Sequence, residues 1–295
     1  WSAAPCLSDA CRGGIMFQSI WDALRYGFMQ NALAAGLLVS VACGIIGTYV
    51  VVKRIVFISG GVAHAAYGGI GLAYFLGINP VVGAIFFSLL SAFGMGLVQR
   101  KTRERSDSII GVMWAIGMAL GIIFLDLTPG YKADLMSYLF GSILAVPSGD
   151  LIVMLVLNIL IIVLVFLFYK ELLAITFDEQ FSIVENVPVD WMYLLLMGLI
   201  GFTVVMLMRV VGLIMVIALL TIPASISAML FRDLKRMMVA SIALGVVFST
   251  VGLFLSYFLN LTSGATIILV AGVCYVLMLV VQPLGRNLRM KKNAA

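Results

Sequence analysis

Charge is scarce in this chain. Asp, Glu, Lys and Arg make up 11% of its 295 residues, where an ordinary soluble domain carries roughly 25%. Hydrophobic residues make up 63%, more apolar surface than a soluble fold can bury. The period-2 alternation of a membrane β-barrel is also missing. So is the G-x-x-x-x-G-K-[ST] loop that would cradle nucleotide phosphates. No Ser-His-Asp set and no H-E-x-x-H pair exists, and the chain has one histidine, which removes the common hydrolase plans. The chain is therefore read as a non-enzyme with no bound cofactor. The net charge of +5 does not mark a nucleic-acid binder, because the basic residues fall in a different pattern.

What the chain has is long apolar runs. About 20 residues of helix cross a bilayer, and a lipid-exposed span must be helical so that its backbone polar groups are satisfied internally. Runs of that kind lie near residues 28–52, 56–77, 80–99, 108–126, 150–169, 190–208, 212–231, 237–258 and 264–283. This predicts an all-α, polytopic transmembrane bundle of eight or nine spans, the pair flanking Arg209 being equally readable as one span and a re-entrant segment. With the N-terminus outside, 14 of the 18 Lys and Arg residues fall on the inner side, leaving Arg12, Arg25, Lys132 and Arg209. The positive-inside rule then places the C-terminus in the cytoplasm. The chain divides into an N-terminal extension with an interfacial helix (1–27), a membrane domain (28–283) and a basic cytoplasmic tail (284–295).

Residues 1–15 lack the basic start and apolar stretch of a signal peptide, so Met16 is the expected natural start. Residues 16–27 mix Trp21, Leu24 and Tyr26 with Asp22 and Arg25, as an amphipathic lead-in on the lipid interface does. Cys43 and Cys274 fall inside spans as small apolar residues. Cys6 and Cys11 have no metal-finger spacing and, if outside, could pair with each other.

His64 is the most informative residue. It lies in the second span, and no Lys, Arg, Asp or Glu falls between Arg54 and Arg100. An ionisable group at that depth marks a path or a ligand, or else a neutral imidazole hydrogen-bonded to a neighbouring helix. Gly60, Gly68 and Gly71 share its face at helical spacing and let another helix approach closely. Tyr67, one turn on, can add a hydroxyl. Such a small-residue face around one metal ligand suits a narrow cation path between helices. Elsewhere, Asn31, Asn158, Ser88 and Ser91 are expected to hydrogen-bond between helices. Asp107 is expected to open the fourth span as a cap. Asp126 and Asp134 flank an outward turn, and residues 134–147 are expected as an outer interfacial helix near a dimer axis.

The segment 177–188 is too polar to span and falls on the inner side. It carries Asp178, Glu179 and Glu185 around Phe181 and Val184, a pattern that suits a short helix plugging an apolar residue into a partner; a solvated loop is the other reading.

Five stretches in order resemble the permease subunits of the zinc and manganese class of bacterial ABC importers. FISGGVAHAAYGG, from Phe57, is similar to that family's GDALSHAVLPG. RSDSIIGVMWA, from Arg105, resembles R-E-D-[ST]-A-I-G-I. LLAITFDEQFSIVENVPVDW, from Leu172, resembles L-A-x-x-F-D-E-x-x-A-x-x-x-G-x-P. VGLIMVIALLTIPASISAML and SYFLNLTSGATIILV resemble VGxxLVxALLxxPAATA and S-Y-x-x-x-x-x-S-G-A. The resemblance covers residues 25–283. It implies a multi-pass protein of the bacterial or archaeal cytoplasmic membrane that works as a homodimer. Each copy would dock on a cytoplasmic ATPase through 177–188 and be fed by an extracytoplasmic metal-binding protein.

One departure bears on the transported ion. The family places an aspartate four residues before the histidine, and this chain has Gly60 there. Two copies of His64 then supply two imidazoles without two carboxylates, with solvent, Ser59 or Tyr67 completing the set. Manganese favours oxygen ligands and zinc accepts imidazole, so zinc is expected over manganese. Binding needs neutral imidazole, so transport should fail below the histidine pKa, near 6.5 if unperturbed. Two other functions fit the composition: a permease for a corrin or siderophore chelate, which needs a wider cavity, and a proton-coupled carrier, which needs acidic residues deep in the spans.

Overall fold

Helix is the only regular structure among the described residues of the computed structural model, which are 25–101, 106–129 and 139–293. The side chains of Lys101, Ser106, Asp107, Ile109, Arg209, Ile214 and residues 282–293 lie outside that description. So do residues 1–24 with Cys6 and Cys11, residues 102–105, Asp134 and residues 294–295. The extension, most of the interfacial lead-in, the Asp107 cap and the side chains of the basic tail are therefore not described.

We number the helices α1 (Gly27–Val52), α2 (Val56–Leu76), α3 (Pro80–Lys101), α4 (Ser106–Leu127), α5 (Ser148–Leu167), α6 (Tyr169–Phe177), α7 (Glu179–Val184), α8 (Val189–Val210), α9 (Val216–Leu230), α10 (Leu234–Leu259) and α11 (Ser263–Asn293). Eight of these are long and apolar enough to cross a membrane. The breaks follow local chemistry. Gly77 ends α2 in the left-handed region, and Asn79 then caps α3 through Val81 N–H, 2.9 Å from Oδ1, with Pro80 in the first helical position. Asp178 and Asp233 accept from Phe181 and Arg236 N–H and start α7 and α10.

The ninth sequence candidate, 212–231, resolves as the 15-residue α9, shorter than the about 20 residues of helix that cross a bilayer. The α8–α9 turn explains why it is short. Gly212 (φ 81°) and Gly141 (φ 68°) lie back to back, and a Cβ on either would overlap the other's backbone, so only glycine fits. Ile143, fully buried, packs close to Gly36 of α1, nine residues or roughly 13 Å along that helix. The turn is thus sunk below the end of the bundle, and α9 needs fewer residues to return. Of the expected outer helix at 134–147, residues 134–138 lie outside the described residues and Leu139 and Phe140 are helical; beyond Gly141 the chain carries a 3₁₀ turn, Ile143–Ala145, where Ile143 N–H donates to Ser263 Oγ at 3.2 Å.

α2 is the most enclosed of the long helices, clasped by α3 and α4. A Cβ at Gly69 would overlap the Gly83 carbonyl of α3. A Cβ at Gly71 would overlap the Gly121 carbonyl of α4, and one at Gly68 would lie 2.9 Å from Gly117 O. Backbones this close are the small-residue packing that lipid-embedded helices use. Asn158 and Ser88 bond across helices, Asn158 Nδ2 to Leu38 O at 2.5 Å and Ser88 Oγ to Gly201 O at 2.9 Å. Ser91 instead donates to Ser88 O within its own helix.

Candidate functional site

His64 sits in mid-α2 with 7% of its surface exposed. Its ring lies flat on the Trp114 indole of α4, with centroids 3.9 Å apart and planes 11° apart. Among the described residues, its buried Nδ1 has no hydrogen-bond partner. A buried polar nitrogen in that condition is costly, and the ring contact on this side is the Trp114 stack rather than a hydrogen bond at Nδ1.

The surroundings of His64 differ from the sequence picture. The helix that approaches the glycine stripe at Gly68 and Gly71 is α4 of the same chain, through Gly117 and Gly121. At Gly60, a Cβ would overlap Ile217 Cδ1 of α9, lie 3.0 Å from its Cγ1 and stand 3.8 Å from Trp114. Ile217 thus takes the space that a side chain at position 60 would occupy, with Trp114 at ordinary contact distance. Ser59 is five residues from His64, about 140° round the helix. It is fully buried and donates to Val56 O at 2.7 Å. Tyr67 is buried against Gly121, in a cluster with Ile70, Val81 and Leu125. No group of three or more His, Cys, Asp or Glu able to hold a metal ion occurs among the described residues. One chain therefore brings one imidazole to this point, outside any cluster of three metal-ligating residues among the described ones.

The polar segment forms two short helices broken at Asp178, whose Oδ1 accepts from Phe181 N–H at 2.9 Å. Ser182 faces inward and is buried, while Phe181, Ile183 and Val184 stand exposed, Val184 at 78%. Glu185 is exposed beside them. Glu179, grouped by sequence with the outward-facing charges, instead turns toward the bundle and pairs with Lys53 (3.7 Å) and Arg100 (3.3 Å). Arg100 also pairs with Asp190 at 2.5 Å. Lys53 Nζ donates to Ile175 O at 2.6 Å. Burial pulls the Lys53 ammonium below its usual range; Arg100 adds to that and Glu179 opposes it.

Sequence reasoning missed Trp114, Ile217, Lys53, Arg100, Asp190 and Tyr193. Trp114 lay inside a motif already singled out, and an aromatic within a family motif was a usable signal. Lys53 and Arg100 had been counted for topology alone, although basic and acidic residues on one membrane side invite pairing. Ile217 carried no signal.

A bundle of eight membrane-length helices around a buried histidine defines a multi-pass membrane protein, and comparison with known proteins supplies the family. The chain belongs to the ABC 3 transport family, whose sequence profile matches residues 25–282. It is 58% identical over 268 residues to an uncharacterized membrane protein of Synechocystis sp., covering 91% of this chain and 95% of that one. It is 33% identical to the manganese transport system membrane protein MntC of Listeria innocua, covering 92% and 96%. Among solved structures, PsaBC from Streptococcus pneumoniae in complex with Fab superposes with a TM-score of 0.84 at 31% identity, covering 93% of this chain and 99% of that chain. A putative metal-chelate type ABC transporter shares the fold at a TM-score of 0.67 and 16% identity. The protein is a multi-pass permease of the ABC importer type in the cytoplasmic membrane.

Proposed function

We propose that two copies of this chain form the membrane path of an ABC importer for a divalent metal ion. An extracytoplasmic metal-binding protein delivers the ion, and a separate cytoplasmic ATPase drives it. The observation that carries this reading is His64: a buried imidazole in the most enclosed helix, its Nδ1 without a hydrogen-bond partner among the described residues. A neutral imidazole there is a borderline ligand for a cation that must bind and leave. The end of the bundle that gathers Lys53, Arg54, Arg100, Lys170, Lys235 and Arg236 is the cytoplasmic one. There α7 presents Phe181, Ile183 and Val184 for the ATPase to receive.

Zinc is the proposed ion. Two imidazoles without carboxylates suit it, and the Ile217 side chain fills the position where an aspartate would add oxygen. Manganese is the second reading, favoured by the similarity to the manganese transport system protein of Listeria innocua. Paired permease and ATPase in liposomes, given labelled zinc and manganese, test both. Undiminished zinc uptake by His64→Ala would reduce His64 to a structural residue, and a manganese preference in the wild type would overturn the zinc assignment.

A further inference from the structure

The inward side of α7 is clamped while its outward side is bare. Glu179 holds Lys53 with one carboxylate oxygen and Arg100 with the other, and Arg100 is held in turn by Asp190 at the start of α8. The Tyr193 ring centroid lies 5.4 Å from each of the two cations, and its hydroxyl donates to Gln99. The side chains of Lys53 and Arg100 are only 11% and 24% exposed while Glu179 and Asp190 are 44% and 78% exposed, so the cations are withdrawn from water and their acidic partners are screened in part.

The network touches the ends of α1 and α3, the start of α8 and the first residue of α7. Lys53 is also the residue at which α1 gives way to α2. Arg54 follows it at φ 59°, in the left-handed region that costs any side-chain-bearing residue, and Ile55 N–H closes the turn on Val50 O at 3.0 Å. α2, the helix of His64, begins at the next residue. Beside the network a polar cavity of about 590 Å³, lined by Gln99, Thr176 and Gln180 among others, leaves the charged side chains room to move. A packed turn joined through charges to a short external helix, with space on one side, can hold two arrangements.

We propose that Glu179 and Lys53, with Arg100 and Tyr193, form an ionic linkage that carries displacement of α7 to the α1–α2 turn and so to the helix bearing His64. This rests on the reading of α7 as the segment that docks the ATPase. These are positioning residues, since they act through α2 rather than on the ion.

The test reads zinc moved per ATP hydrolysed, both quantities measured in the same proteoliposomes of the full complex. Glu179→Gln and Lys53→Met each keep the ATPase bound and hydrolysing, and each lowers that ratio about tenfold, the scale of one coupled ionic contact. The double variant falls no further, and Lys53→Arg stays near wild type. A wild-type ratio in both single variants overturns the linkage, as do losses that multiply in the double variant. Should a single variant fail to assemble, the double, which strands neither of the two charges, is read alone, and a wild-type ratio in it overturns the proposal. Phe181→Asp separates the two layers. If it leaves the ATPase bound, the docking reading fails. If it releases the ATPase while Glu179→Gln transports normally, only the linkage fails.

Discussion

Placing a carboxylate at position 60 tests the ion assignment most directly, and the structure says how it must be done. An aspartate there stands one helical turn before His64, on the same face. The single substitution is obstructed, because its Cβ overlaps Ile217 Cδ1 and lies 3.0 Å from Cγ1. Overpacking of that kind costs about 1–3 kcal/mol, and the carboxylate adds a desolvation cost unless a cation or donor meets it. Ile217→Val removes the overlapping methyl at about 0.5–1.5 kcal/mol by itself, so the gain from relieving the overlap covers much of that loss. Trp114, 3.8 Å from the added Cβ, is at ordinary contact and need not move. Gly60→Asp with Ile217→Val is therefore the folded variant to assay, with Gly60→Asp alone as the less stable control. The new oxygen ligand should raise manganese uptake relative to zinc by at least about tenfold, the lower range seen for changes merely adjacent to metal ligands. The assay is paired uptake of both labelled ions into proteoliposomes at equal protein level. A variant that assembles, transports zinc and leaves the manganese-to-zinc ratio unchanged would refute the idea that position 60 governs the choice of ion.

Four further outcomes are expected. His64→Ala should abolish metal uptake while assembly, read by size-exclusion chromatography, stays intact. Phe181→Asp should release the ATPase from copurification, because Phe181 is exposed on α7 and a charge there would have to be buried in the docked complex. Gly71→Ala should push α2 from the Gly121 carbonyl and lower the thermal unfolding midpoint in detergent by the equivalent of about 1–3 kcal/mol; an unchanged midpoint would contradict the backbone contact. Asn158→Ala should cost about 0.6–1.7 kcal/mol in the same measurement, since it deletes the α5 bond to Leu38 O.

Much of the architecture was legible without coordinates, because the bilayer leaves few choices. Long runs without charge must be helices, and eight of the nine predicted runs are membrane-length helices. The short helix within 177–188 with its exposed Phe181 and Val184 followed from short-range pattern, as did the singling out of His64, since a lone ionisable residue in an apolar span is conspicuous in one dimension. The ninth run was ambiguous because its length depends on how deep the preceding turn sits. That depth is decided by Gly212 against Gly141, residues 71 positions apart whose meeting no local pattern encodes. The glycine face marks that something approaches α2 without specifying what. Gly117 and Gly121 of α4 fill that role, so the stripe is spent inside one chain. Glu179 looked like an outward charge because sequence spacing defines a helix face but not the direction that face takes; Lys53 and Arg100, 126 and 79 residues earlier, draw it inward. Membrane physics acts on composition and can be read from the string, whereas partner choice among packed helices depends on distances that exist only after folding.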